Sequence, residues 1–395
     1  MNLKSVKFND MLRKGAKRLP LLGVLCLAMG LSSCDSVYDD DPNCVHGIAL
    51  RFVYDYHMEP GANSFPANVD CINVFVFDSD GNYVTQFKET SDDLRNENYR
   101  MILPLDNGKY QLKVYGGTAC EKTKFNLTPD WNSTQGAKMD DILVTLPRNE
   151  EGVSKVQLHN IEERSGGLFY GYAIRHTDGQ VSYGTLDVEL TDDDYAVDYR
   201  EETVYLMNDV NNIQIILQEL DSPYQADYTD YSFQIVDDNF ILDSNNKAVH
   251  VATDTYQPLY TPYAFDNRIV GAIKNIDQNG AKVEEDENKP VQVACAEFST
   301  SRLLMEHLPT ARLQIFSNSE KNQDGTPHLL IDIPLVEYLL LIRGFGDSWI
   351  KSDQEFLDRQ SRWTLMFFLQ HGKWITTRIS VNSWIVRIND IVLDY

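Results

Sequence analysis

The sequence is poor in basic residues, has no long apolar stretch beyond its first residues, and shows none of the common local signatures of catalysis. It carries 35 Lys+Arg against 59 Asp+Glu, a formal net charge of −24. Phosphate binding needs a basic footprint, so this balance argues against a nucleic-acid partner. It argues equally against adhesion to an anionic leaflet by charge. Past residue 33 no run of 18 apolar residues occurs, and the densest stretch, Leu329 to Ile342, contains Asp332, Pro334 and Glu337. A spanning helix needs about 20 apolar residues, so none is expected there. The eight histidines (His46, His57, His159, His176, His250, His307, His328, His371) form no His-Glu-x-x-His array, and no Cys-x-x-Cys occurs. The usual zinc spacings are therefore missing. So are the Gly-x-Ser-x-Gly elbow and a phosphate-cradling glycine loop. Asp78-Ser-Asp80-Gly81 opens like a calcium loop but lacks the third ligand and the distal glutamate, and a hairpin turn explains it better. The abundant carboxylates allow any acid–base pairing, so no glycosidase pair stands out. No catalytic residue, cofactor or metal site is expected.

What the sequence does have begins at its N-terminus. Lys4, Lys7, Arg13, Lys14, Lys17 and Arg18, opposed only by Asp10, precede an apolar run from Leu19 to Leu31. That run is too short to span a bilayer and suits a secretory signal. It ends in Leu31-Ser32-Ser33-Cys34, which resembles the lipobox of bacterial lipoproteins. The resemblance implies cleavage between Ser33 and Cys34 and lipidation of Cys34. A plain signal peptide ending near a cysteine is the competing reading. Two acyl chains hold a protein to a membrane stably, whereas one holds it only marginally.

Removing residues 1–33 takes away six basic and one acidic side chain, leaving 29 Lys+Arg, 58 Asp+Glu and a net charge of −29 over 362 residues. That length suggests two domains. Cys44, Cys71, Cys120 and Cys295 then remain. They are too few for a disulfide framework. One bridge, Cys71 to Cys120, is the first expectation, and buried unpaired thiols are an equal alternative.

Along the chain, residues 34–45 read as an acidic tether with Asp39, Asp40 and Asp41. Alternation then starts at Ile48, Leu50, Phe52 and Tyr54. Val69–Phe77, a turn at Asp78–Asn82 and Tyr83–Phe87 read as a hairpin. Tyr99–Leu105, a turn at Asp106–Lys109 and Tyr110–Tyr115 read as another. Further strands are expected at Ile142–Leu146, Leu168–Ile174 and Leu186–Leu190. The acidic stretch from Thr191 suggests a boundary, placing one β-sandwich over 46–198 and a second over 199–395. In the second, strands are expected at Val204–Met207, Ile213–Leu217, Thr364–Leu369, Trp374–Val381 and Trp384–Ile388. One helix is expected there too, capped by Ser352 with Glu355 as capping-box partner.

Several stretches resemble the FimB-like fimbrial anchor family, the fimbrillin-associated minor subunits of Bacteroides-type bacteria. The most specific are Gln354-Glu-Phe-Leu-Asp-Arg-Gln360, Phe367-Phe-Leu369, Gly372-Lys-Trp374 and Val381-Asn-Ser-Trp-Ile-Val-Arg-Ile-Asn389. Asn73–Asp78 with Gly81, Leu168-Phe-Tyr-Gly171 and Asn211-Asn-Ile213 support them. Ser383 departs from the family's usual glycine. The resemblance implies an all-β fold of two tandem transthyretin-like sandwiches and a lipoprotein of the cell outer membrane. Its partner would be a fimbrial stalk or accessory subunit, joined by β-strand addition. It also implies that stalk subunits lose a first strand to an Arg- or Lys-specific protease while an anchor keeps its lipid. From Asp35 to Leu50 this chain has no Lys or Arg, and Arg51 lies inside an expected strand. The C-terminal segment from Trp384 either donates a strand to another subunit or closes its own domain. A surface carbohydrate-binding lipoprotein is the alternative function.

Overall fold

The computed structural model describes residues 47–58, 61–117, 126–129, 136–145, 167–177, 180–191, 199–220, 226–250, 253–256, 258, 263–266, 292–343, 349–381 and 384–388. Ser33, Cys34, the tether, Cys44, Cys120 and Ser383 lie outside these. The fold is all-β, as the strand rhythm leads one to expect. The first part supplies β1 (Ile48–Val53), β2 (Ile72–Asp78), β3 (Tyr83–Glu89), β4 (Met101–Leu103), β5 (Gly108–Gly116), β6 (Asn126–Thr128), β7 (Leu143–Thr145), β8 (Phe169–Thr177), β9 (Gln180–Gly184), β10 (Leu186–Leu190) and β11 (Arg200–Asn208). All but β6 and β7 join one sheet in the order β3-β2-β5-β8-β11-β1-β4, with β10 on β5 and β9 on β8.

Period-two alternation sets the layers. On β2, Ile72, Val74 and Val76 enter a core with Leu50, Phe52, Leu112, Val114, Val188 and Leu206. Phe75 and Phe77, on its other face, enter a second core shared with the C-terminal part. Such a strand is buried on both faces and shows an almost unbroken apolar run. The hairpin at Asp78 is present. Asp78 Oδ1 accepts from the N–H groups of Asp80 and Asn82 at 2.9 and 2.8 Å, and the Asn82 side chain, the main cause, holds its carboxyl below the usual range. That carboxylate is occupied by turn chemistry.

The remaining strands are β12 (Asn211–Glu219), β13 (Tyr231–Asp237), β14 (Ile241–Asp243), β15 (Asp254–Tyr256), β16 (Tyr263–Asp266), β17 (Gln292–Thr300), β18 (Arg312–Lys321), β19 (Pro327–Pro334), β20 (Arg362–Gln370), β21 (Lys373–Val381) and β22 (Trp384–Ile388). A six-stranded sheet, β16-β17-β12-β20-β21-β22, and a four-stranded sheet, β15-β13-β18-β19, contribute to one core. Ile213, Ile215, Leu365 and Phe367 come from the first, and Phe233, Ile235, Leu313 and Ile315 from the second. The short helices are α1 (Phe65–Asn68), α2 (Leu335–Leu340) and α3 (Asp353–Arg359).

Three details differ from the sequence reading. Leu103 and Gly108 do not form a hairpin: β4 pairs with β1, while β5 pairs with β2, β8 and β10. Both edges of β5 are taken by longer strands, and Pro104 has no N–H to offer a ladder. The change of sheet falls at Asp209-Val210, after β11, because β11 pairs with β1 and β8 of the first sheet. A second helix also stands in the C-terminal part, where α2 buries Leu335, Val336, Tyr338 and Leu339.

Candidate assembly site

β1 is the first strand of the described chain, and it lies inside the sheet. Its six residues pair in parallel with β11, from Ile48 opposite Arg200 to Val53 opposite Tyr205, and Ile48–Leu50 pair antiparallel with β4. Ile48, Leu50 and Phe52 are buried in the first core, and Arg51 points outward. Gly47 fixes the entry: at φ +154°, an added Cβ would sit 1.9 Å from the Leu103 carbonyl oxygen. Only glycine fits so close an approach. Without β1, the strands β11 and β4 would expose unpaired backbone and an apolar slot.

A brace from the second part reaches the exit of β1. Helix α3 begins where Ser352 Oγ accepts from Glu355 N–H at 3.0 Å. The Glu355 carboxylate accepts from the Lys351 N–H at 2.9 Å, one residue before the cap. Phe356 and Leu357 are buried beneath the helix. Arg359 pairs with Glu355 at 2.8 Å and donates to the carbonyls of Asp55 and His57 at 3.3 and 3.4 Å. Its guanidinium stacks 4.1 Å from the Tyr56 ring centroid and 4.9 Å from that of Trp349. Asp358 accepts both ends of the Arg302 fork at 2.7 and 2.8 Å, a bidentate geometry that fixes direction. Gln354 donates to the carbonyl of Leu303 and accepts from the Met305 N–H. The stretch Gln354–Gln360 is thus a set of tertiary contacts.

A turn of the second part docks on the first. Arg302 donates to the Asn246 carbonyl at 2.6 Å, Asn246 Nδ2 to Asp209 Oδ1 at 2.8 Å, and Lys113 Nζ to Asn245 Oδ1 at 3.2 Å. β14 also pairs with β7, extending the small sheet β14-β7-β6. Lys113 is fully buried, and burial pulls its pKa down to about 8 against the pull of Asp243 and Asp140. Asn211 Oδ1 accepts from the buried Trp363 Nε1 at 2.9 Å, and Asn212 Oδ1 from Ser299 Oγ at 2.7 Å. β22 pairs antiparallel with β21 of the same chain, Val381 facing Trp384.

Cys71 is disulfide-bonded, and Cys295 is buried. The sequence had no means to find the roles of Lys113, Asp209 and Arg302, because their partners are distant in the chain. No helix among the described residues is long and apolar enough to cross a membrane.

No curated protein matches the chain. Among solved structures, a "putative adhesin" from Bacteroides thetaiotaomicron is 33% identical, covers 87% of this chain and 98% of its own, and superposes with a TM-score of 0.66. A structure from the same organism described as "putative polysaccharide binding proteins" is 25% identical with a TM-score of 0.63, covering 87% and 98%. The fimbrial anchor protein Mfa2 from Porphyromonas gingivalis is 16% identical, covers 87% and 99%, and shares the fold with a TM-score of 0.56. Residues 38–390 match the family described as fimbrillin-A associated anchor proteins Mfa1 and Mfa2, which is a family of fimbrial proteins and not an enzyme class. The chain belongs to that family.

Proposed function

We propose that this protein is the base of a fimbria, held in the outer membrane through lipidated Cys34, and that it limits fibre growth. The observation that carries the reading is the position of β1. The strand immediately after the lipobox and tether fills the slot between β11 and β4 with the chain's own residues. While β1 stays, no other subunit's strand can enter that slot. The stretch 35–50 offers no Lys or Arg, and Arg51 sits in register opposite Thr203. A trypsin-like protease would have to unfold the sheet to reach it. Lipid and strand therefore remain together, and attachment and chain termination become two effects of one uncleaved segment. A stalk or accessory subunit would join at another sheet edge by β-strand addition.

The test replaces Cys34 by Ala. The variant should fold and should shed fibres into the medium, and normal retention on cells would overturn the account. So would recovery, from intact cells, of a native N-terminus well downstream of Cys34.

A second reading, glycan binding at the surface, is supported by one cluster. Tyr183 is 59% exposed and meets Tyr172 edge-on at 5.4 Å, beside Tyr56 and Tyr205. Sugar affinity that Tyr183→Ala abolishes would favour it.

A further inference from the structure

Three connections of the second part bring Asp238, His250 and His307 together. Asp238 follows β13, His250 follows the turn after β14, and His307 ends the 3-10 turn Met305–His307 after β17. Asp238 Oδ2 lies 2.8 Å from His250 Nδ1, and Asp238 Oδ1 lies 3.0 Å from His307 Nδ1. The two imidazole centroids are 5.1 Å apart, and one donor atom from each of the three residues falls within 4.8 Å of the others. Behind them Asp237 Oδ1 is hydrogen-bonded to His307 Nδ1 at 2.7 Å, with both side chains almost fully buried. Glu306 Oε1 is 3.8 Å from His250 Nε2.

Hydrogen bonds inside the group do not satisfy it. His307 Nε2, Asp237 Oδ2 and Asp238 Oδ1 are each buried with no hydrogen-bond partner. The 3.0 Å approach of Asp238 Oδ1 to His307 Nδ1 is a charge contact outside hydrogen-bond geometry, since that nitrogen's proton already serves Asp237. If His307 is neutral, Nε2 is a lone pair facing no donor; if it is charged, Nε2–H is a buried donor with no acceptor. Either state leaves an unmet polar atom, which costs about 1–3 kcal/mol in a protein interior.

We propose that Asp238, His250 and His307 bind a divalent transition-metal ion of the zinc type, with Asp237 as the outer carboxylate that orients His307. Two imidazoles and one carboxylate are the donor set of zinc and its borderline neighbours, whereas calcium and magnesium take oxygens. A carboxylate on the far nitrogen of a metal-binding histidine is a recurrent second layer that fixes the tautomer. With Asp237 on Nδ1 the ion would take His307 Nε2, and Asp238, which now approaches Nδ1 at 3.0 Å, must turn toward the Nε2 side as the ion enters. Two ligands of a tetrahedral ion at about 2.05 Å stand about 3.3 Å apart. The 2.8 Å between His250 and Asp238 must therefore open by about half an ångström, which His250, 51% exposed, is free to do. A water would fill the fourth position. Asn245 and Asn246, in the turn that leads to His250, reach Lys113 and Asp209 of the first sandwich. The ion would thus stiffen the joint between the two parts.

The experiment titrates the full chain, stripped with chelator, with Zn²⁺ alone by calorimetry and with Co²⁺ by visible absorption. One Zn²⁺ per chain and the intense bands of low-coordinate Co²⁺ are expected, together with a Zn²⁺-dependent rise in melting temperature. His250→Ala, at a half-exposed position, should keep the fold and lose the bands. Asp237→Asn should weaken affinity about 10- to 100-fold, and His328→Ala should change nothing. Absence of saturable binding by the wild type, or bands retained in His250→Ala, would overturn the assignment.

Discussion

Asp209 sits where the chain leaves the first sheet, fully buried, with Oδ1 accepting from Asn246 and Oδ2 left without a hydrogen bond. Burial pushes its pKa up to about 7; Arg302 and Asn246 pull the other way, and Asp358 adds to the rise. The folded state therefore keeps a proton that the unfolded chain releases near pH 4. Stability from this group is complete below about pH 4 and is lost as pH rises through about 7. Asp209→Asn should gain on the wild type across that window, by on the order of 1.4 kcal/mol per pH unit, in urea unfolding at pH 5 and pH 8. Gly171 presents a steric case. A Cβ there would lie 2.6 Å from Val114 Cβ and 2.9 Å from Val204 Cγ1, between β5 and β11. Gly171→Ala should cost about 1–3 kcal/mol, read as a lowered melting temperature.

At the scale of elements, the strands flanked by turn chemistry were legible in the sequence. β2–β3, β10, β12, β20, β21 and α3 stand where alternation, Asp78–Asn82 and Ser352 put them. Alternation records which face is buried and not which neighbour lies alongside. That is why β4 and β5 looked like a hairpin although each pairs elsewhere. The family stretches were legible as resemblance before their physics was. Gln354, Asp358 and Arg359 each contact residues about 50 or more positions away, and so do Asn211 and Trp363. His250, His307 and Asp238 gave no local spacing because the fold alone unites them. β2 and β5 also bear on the disulfide. Gly117 N–H donates to the Cys71 carbonyl at 2.9 Å, and Cys120 is three residues further on, within a chain reach of about 11 Å. Peptide mapping without reductant should return a Cys71–Cys120 linked pair, and a Cys71–Cys44 pair would refute that assignment.

For the whole molecule, the first and second parts share one apolar core that runs from Phe75, Tyr115 and Tyr170 to Ile213, Phe233 and Leu365. With Asn246, Arg359 and Lys113 bridging the same joint, the two should melt as one unit and resist cutting within β1. Under limiting trypsin, the fragment containing β1 should keep its original N-terminus; a new terminus at Phe52 would show that β1 opens readily.

The direction of β1 has a mechanical consequence. β1 and β11 run the same way; in the proposed lipid-held anchor the membrane would pull on the start of β1 while the rest of the protein pulls beyond the end of β11. The two strands are then drawn past each other along their length, so the six register pairs from Ile48–Arg200 to Val53–Tyr205 share the strain together instead of parting one at a time. A cell tugged by flow would be resisted by a strand loaded in shear, the direction in which a sheet yields least readily.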